Sequence, residues 1–143
     1  VGADYCDHLE EQLVPITKQG TRFVAVKSQP RGAEPDVWRI VASSAPGPQP
    51  FCTGGELQLW ESRDEGKTWI MKRDITKSSA LNQTYARKPL NAHDDFYAFW
   101  ADGNPLEPSA TRLYFTNRAG DKVWRLPALI EGNLAKPEAL SQK

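Results

Sequence analysis

Apolar and polar residues alternate with a period of two over seven short stretches: RFVAV at 22–26, VWRIVA at 37–42, LQLW at 57–60, TWIM at 68–71, FYAFW at 96–100, RLYFT at 112–116 and VWRL at 123–126. Each is rich in β-branched and aromatic residues, so each predicts a strand with one face turned inward. Between them lie QPRGAEPD, APGPQPFCTGG, RDEG, ADGNPLEP and NRAGD, clusters whose Pro, Gly, Asn and Asp residues set turn dihedrals or remove a ladder donor. Antiparallel hairpins follow. Helix is a reading open only to YCDHLEEQLV near the start and EGNLAKPEALSQK at the end, and Pro15 and Pro137 limit both; the tail reads better as an extended terminus. The chain is expected to be all-β.

Charge and composition narrow the partners. Lys plus Arg and Asp plus Glu each number 18, and no basic block stands out, which argues against a nucleic-acid partner. No run of eighteen apolar residues occurs, so no membrane span is expected, and VGADYCDHLEEQ lacks the charged start and apolar core of a secretory signal. The first residue is Val1 and Met71 is the only methionine, so the chain is expected to be a processed or truncated piece. Cys6 and Cys52 leave three states open: one disulfide, two thiols, or metal ligands.

The chain also repeats itself. LQLWESRDEGKTWIM aligns with RLYFTNRAGDKVWRL as strand, turn, strand, with Trp69 and Trp124 at matching places 55 positions apart (124 − 69). A further strand stands ahead of each, RFVAVKS and FYAFWAD. A period of roughly 50 residues with several short strands per unit points to blades of a β-propeller more than to a sandwich. The turn in the first copy, SRDEGKTW, is itself informative. Gly66 can take positive φ without a Cβ clash, Ser62 and Asp64 offer short oxygens to unpaired amides, Thr68 adds a hydroxyl, and Trp69 brings a flat apolar body with one N–H.

SRDEGKTW matches S-x-D-x-G-x-T-W at every specified position and resembles the Asp box of bacterial neuraminidase (BNR) repeats. The stretches HDDFYAFWADGNP and RLYFTNRAGDKVWRLP resemble the C-terminal part of BNR-repeat proteins of polysaccharide utilisation, a group similar to propeller-type ulvan lyases. The resemblance implies a partial β-propeller of about two to three antiparallel blades: an Asp-box blade over about 21–76, a last blade over about 93–127, and a tail over 128–143. It implies a structural role for Ser62, Asp64, Gly66, Thr68 and Trp69, and the remaining blades of a parent chain as neighbours. It further implies a secreted or periplasmic bacterial setting.

Several side chains carry candidate chemistry. Cys6 and His8, two apart in an extended segment, place two soft donors on one side, and the C-x-H pair resembles part of a structural zinc site in those propellers. His93, just before FYAFW, would open onto the mouth of a propeller, where it could act as general acid or base, with Asp94 or Asp95 to orient it or bond a sugar hydroxyl. Tyr85 lies on a long connection and can serve as the acid in lyase chemistry. Arg22 and Arg112, each at the start of a strand, could grip a carboxylate or sulfate. Asn82-Gln83-Thr84 is a formal glycosylation acceptor, idle in a bacterial source.

Two functions result. The leading expectation is a piece of a carbohydrate-active enzyme, a polysaccharide lyase or glycoside hydrolase acting on anionic glycans, with most of its catalytic groups on other blades. The alternative is a non-catalytic Asp-box propeller that binds glycan or a partner protein through aromatic faces such as Trp38, Trp60, Tyr97 and Trp100.

Overall fold

The computed structural model describes residues 13–15, 22–24 and 37–141. Among these the chain is all β, with ten strands and no helix: β1 Leu13–Pro15, β2 Arg22–Val24, β3 Trp38–Ser43, β4 Leu57–Ser62, β5 Ile70–Asp74, β6 Asn82–Gln83, β7 Ala98–Gly103, β8 Leu113–Thr116, β9 Val123–Arg125 and β10 Glu138–Leu140. All seven stretches with period two contain a strand. They fall into three sheets: β1-β2, then β3-β4-β5, then a five-stranded sheet in the order β10-β9-β8-β7-β6.

Three elements differ from expectation. Leu13 and Val14, in the stretch offered as a helix, lie in β1 and pair antiparallel with β2; Val14 is β-branched and Pro15 has no amide to give a helix. The tail is a strand, because β9 would otherwise end the sheet with open hydrogen-bonding groups. Ala139 sits opposite Trp124 and Glu138 opposite Arg125, whose Nη2 donates to Glu138 Oε2 at 2.7 Å. The two-residue strand β6 pairs with the far end of β7, Asn82 opposite Gly103, and is too short to show any period.

β7, β8, β9 and β10 follow one another as an antiparallel meander, the up-and-down order that a propeller blade also has. A ring of such sheets is not present among the described residues.

The described residues belong to two compact units, those up to Ile40 with Trp60–Met71 in one, and Val41–Leu59 with those from Lys72 onward in the other. In the second unit, Leu57, Leu59, Ile75, Trp100 and Val123 form a buried cluster, with Val41, Ala86, Tyr114 and Leu140 packed against it. Leu57 and Leu59 are two apart on β4, and the alternation of the sequence sends both inward. Each such side chain contributes about 1.5–3 kcal/mol on burial.

Candidate functional site

The turn between β4 and β5 closes on its own side chains. Ser62 Oγ accepts from the Gly66 amide at 2.9 Å and donates to Asp64 Oδ1 at 2.8 Å. Asp64 then accepts twice from Thr68, from the amide at 2.8 Å and the hydroxyl at 2.6 Å, and Trp69 Nε1 donates to Gly66 O at 3.0 Å. Gly66 has φ of 85°, and a Cβ there would stand 3.0 Å from the Trp38 ring. Glycine is needed on both counts. The two Thr68 bonds, followed by the one from Ser62, lower the Asp64 pKa to about 2.

A pH dependence follows. The pKa in the folded chain lies below the ordinary aspartate value of 3.8, so this contribution to stability is present above about pH 4 and fades as pH falls towards 2. Asp64→Asn is expected to lower the melting temperature at neutral pH and to flatten its fall between pH 4 and 2. A variant whose acid limb retains the slope of the parent would refute this role for Asp64.

The second hairpin, between β8 and β9, solves the same problem differently. Asn117 Oδ1 accepts from the amides of Asp121 and Lys122, each at 3.1 Å, while Asn117 Nδ2 donates to Asp121 Oδ1 at 2.7 Å. Asn117 aligns with Ser62, and both receive the amide four residues on. The positive-φ residue aligns as well, Glu65 at 59° with Gly120 at 67°. So the repeat is a repeat of turn geometry, carried by different side chains.

Beyond this turn the five-stranded sheet has two unlike faces. One carries Trp100, Val123 and Leu140 into the core, together with Tyr114, whose hydroxyl donates to Asp102 Oδ2 at 2.7 Å. Burial first, and then that bond, push the Tyr114 phenol up to about 12, so it remains a neutral donor. On the other face Phe99, Phe115 and Trp124 stand side by side across β7, β8 and β9. Phe115 stacks on Trp124 with ring centres 5.1 Å apart, and Phe96 meets Phe115 at 5.1 Å and Phe99 at 6.0 Å. The inner three rings are half-buried, while Phe96 is 40% and Leu113 on the same face 43% exposed. This aromatic ladder is an ordered apolar surface, outside the core cluster, that stays partly open to solvent.

The aromatic residues anticipated as a binding surface are placed otherwise. Trp100 and Tyr97 are buried, at 2% and 6% exposure, and Trp38 and Trp60 are half-buried. A period of two predicts the two faces but not which of them is covered.

His93 is exposed; its Nδ1 accepts from the Asp95 amide at 3.2 Å and lies 3.8 Å from Asp95 Oδ2. Asp94 pairs with Arg118 at 3.2 Å, and its carbonyl accepts from the Arg118 amide. Tyr85 is 74% exposed. The Arg112 amide donates to Asp102 Oδ1 at 2.8 Å. Arg22 opens β2, where only the backbone is described. Cys6 and His8 lie outside the described residues, and Cys52 is exposed. Among the described residues no three His, Cys, Asp or Glu side chains gather as metal ligands, and no helix is long and apolar enough to cross a membrane.

The profile of a family described as IgGFc binding protein matches residues 1–91, well over half of the chain. The chain belongs to that family. No curated protein and no solved structure matches it. Membership in the IgGFc binding protein family overturns the resemblance to BNR repeats, sialidases and ulvan lyases. The physical reason is visible in the turn: S-x-D-x-G-x-T-W is a set of short-range hydrogen bonds that closes a hairpin, and any chain needing that hairpin can arrive at it. The matched segment contains the Asp64 turn, and the aromatic ladder lies after it.

Proposed function

We propose that this member of the IgGFc binding protein family is a binding module that recognises a protein surface through the aromatic face of the β6–β10 sheet, with the Fc part of immunoglobulin G as the first partner to test. The observation that carries the proposal is the ladder Phe96, Phe99, Phe115 and Trp124, stacked and still partly open to solvent. Rigid rings held in register lose little entropy on binding and exclude water over a wide area, which is how aromatic residues come to dominate interfaces. The family's description supports a protein partner.

Binding of the immobilised chain to Fc, to Fc stripped of its N-linked glycan and to Fab is the test. Both Fc forms are expected to bind alike and Fab not at all. Phe96→Ser, whose ring is already 40% exposed, is expected to weaken binding by roughly tenfold with little change in melting temperature. Binding only to glycosylated Fc would place a sugar on the rings and overturn the protein-surface reading, as would absence of Fc binding.

A further inference from the structure

Residues 126–137 connect β9 to β10. From 127 to 136 every residue is exposed, whereas no other exposed run among the described residues is longer than four. None of residues 127–137 makes a hydrogen bond to another described residue; backbone pairing ends with Leu126, whose amide donates to Leu113 O at 2.9 Å, and resumes at Glu138. A Cβ on Gly132, at φ of 86°, would meet nothing within 4 Å. Leu129 and Leu134 stand 81% and 90% exposed, so two large apolar side chains face water on backbone with no hydrogen bond to hold it. Other exposed apolar residues sit on tethered or shorter stretches. Phe51 O accepts from Asn82 Nδ2, Tyr85 lies between Thr84 and Arg87, whose amides donate to Ala101 O and Phe99 O, and the Leu106 amide donates to Asn104 Oδ1. Leu90 projects from a turn in which residues 88, 89 and 92 are half-buried.

We propose that residues 127–136 are a processing site, cut after Leu129 or Leu134 by an endoprotease with an apolar specificity pocket, and that the cut frees β10 from the sheet. An endoprotease takes its substrate as an extended segment, through main-chain hydrogen bonds and a pocket for one side chain, so it needs several consecutive residues free of bonds within the substrate. Among the described residues this connection supplies the longest such stretch. Hydrolysis adds one water across the peptide bond: the C–N bond breaks, the leucine carbonyl carbon gains the water oxygen and becomes a carboxylate, and the nitrogen of Ile130 or Ala135 leaves as an amine carrying the proton. The cut does not depend on what the aromatic face binds. Its consequence falls on β10. Lys122 and Leu126 bond back to β8, at Asn117 and Leu113, so by the alternation of an antiparallel ladder Val123 and Arg125 turn their backbone groups to Leu140 and Glu138. Those few bonds, the exposed pair of Arg125 with Glu138 and the packing of Leu140 on the core hold β10. Each is weak, and they suffice while the intact connection keeps β10 beside β9 at high effective concentration. After the cut that concentration is lost, and the edge of β9 opens beside Trp124.

The whole chain is digested with a limiting amount of chymotrypsin, and the products are identified by mass spectrometry. Within residues 37–141 the first cut is expected after Leu129 or Leu134. Trypsin is expected to spare the connection, because its one cation, Lys136, precedes Pro137, which has no amide to offer. Leu129→Asp combined with Leu134→Asp is expected to slow the chymotryptic cut by roughly tenfold or more. The melting temperature is expected to stay as it is, since both side chains already face water. A first cut elsewhere within residues 37–141, such as after Phe51, Tyr85 or Leu90, or a rate unchanged in the double variant, would overturn the site; a first cut by trypsin at Lys136 would overturn its apolar preference. Gel filtration of the cut chain tests the release. The segment carrying β10 is expected to elute apart from the rest, and the amides of Val123 and Arg125 to exchange with deuterium roughly tenfold faster than in the intact chain. Elution of the two pieces together, with exchange unchanged, would overturn the release of β10.

Discussion

Asn82→Ala is expected to destabilise the chain by about 3–5 kcal/mol, the summed cost of several part-buried backbone groups left without partners. Asn82 is fully buried, and its side chain is the hub of the loop before β4. Its Oδ1 accepts from the Gln49 amide at 3.0 Å, and its Nδ2 donates to Gln49 O at 3.1 Å and Phe51 O at 2.6 Å. The Asn82 amide donates in turn to Gln49 Oε1 at 2.7 Å. Alanine removes all three side-chain bonds and leaves the loop amide and carbonyls facing a cavity. That loop already holds Cys52 and Thr53 at φ of 63° and 72°, conformations that a β-branched residue tolerates poorly without outside support. Gly47→Ala is expected to act through the same hub, since a Cβ there would collide with Asn82 Oδ1 and stand 2.7 Å from the Gly54 carbonyl carbon. Chemical denaturation of both variants checks this; a loss below about 1 kcal/mol, the level of ordinary surface substitutions, would refute it.

The same geometry bears on modification. Both Nδ2 protons of Asn82 are engaged, so the acceptor motif Asn82-Gln83-Thr84 is closed in the folded chain. Protein secreted from a glycosylating host is expected to keep its mass after treatment with an N-glycosidase. A shift at this position would mean that the loop forms otherwise.

Trp100→Ala is expected to cost about 3–5 kcal/mol, the range for truncating a large buried aromatic. Trp100 is 2% exposed, belongs to the core cluster, and stacks on Tyr114 with ring centres 5.8 Å apart. Its Nε1 donates to Gln83 Oε1 at 2.7 Å, which ties β7 to β6 through side chains as well as backbone. Trp100→Phe separates the two contributions. It keeps a ring against Tyr114 but leaves Gln83, itself 5% exposed, with an unmatched acceptor, at a cost of about 1–3 kcal/mol. Adding Gln83→Leu should recover part of that loss, because removing both partners is cheaper than removing one. If the double variant is no more stable than Trp100→Phe alone, the bond to Gln83 contributes little and packing accounts for the whole effect.

Leu57 and Leu59 were legible as an inward pair, and Ser62, Asp64, Gly66 and Thr68 as a self-closing turn, because both depend on neighbours within a few positions. Asn82 was not legible. Its partners, Gln49 and Phe51, are more than thirty positions away, and the residues around it suggested only a modification motif. Strand β10 was missed because Glu138-Ala139-Leu140 has no persuasive pattern of its own; it is a strand because the edge of β9 offers it bonds. S-x-D-x-G-x-T-W predicts the turn and not the family, since local hydrogen bonding constrains the backbone of the turn and says nothing about ancestry.

The candidate site divides in the same way. Phe99, Phe115 and Trp124 could each be placed opposite the core-facing residues of their strands from alternation alone. That they line up across three strands follows from register, and register is set by turns and pairing rather than by any one strand.

By itself, the sequence determined the strands with a clear period, the hairpin turns with their glycine positions, and the absence of a long apolar helix, all of which arise from contacts short in chain distance. Only the tertiary structure decided which sheet face the core would take and which rings would stay open, and it alone joined Asn82 to its loop. The reason is that a period of two sorts side chains into two sets, while long-range packing chooses between them.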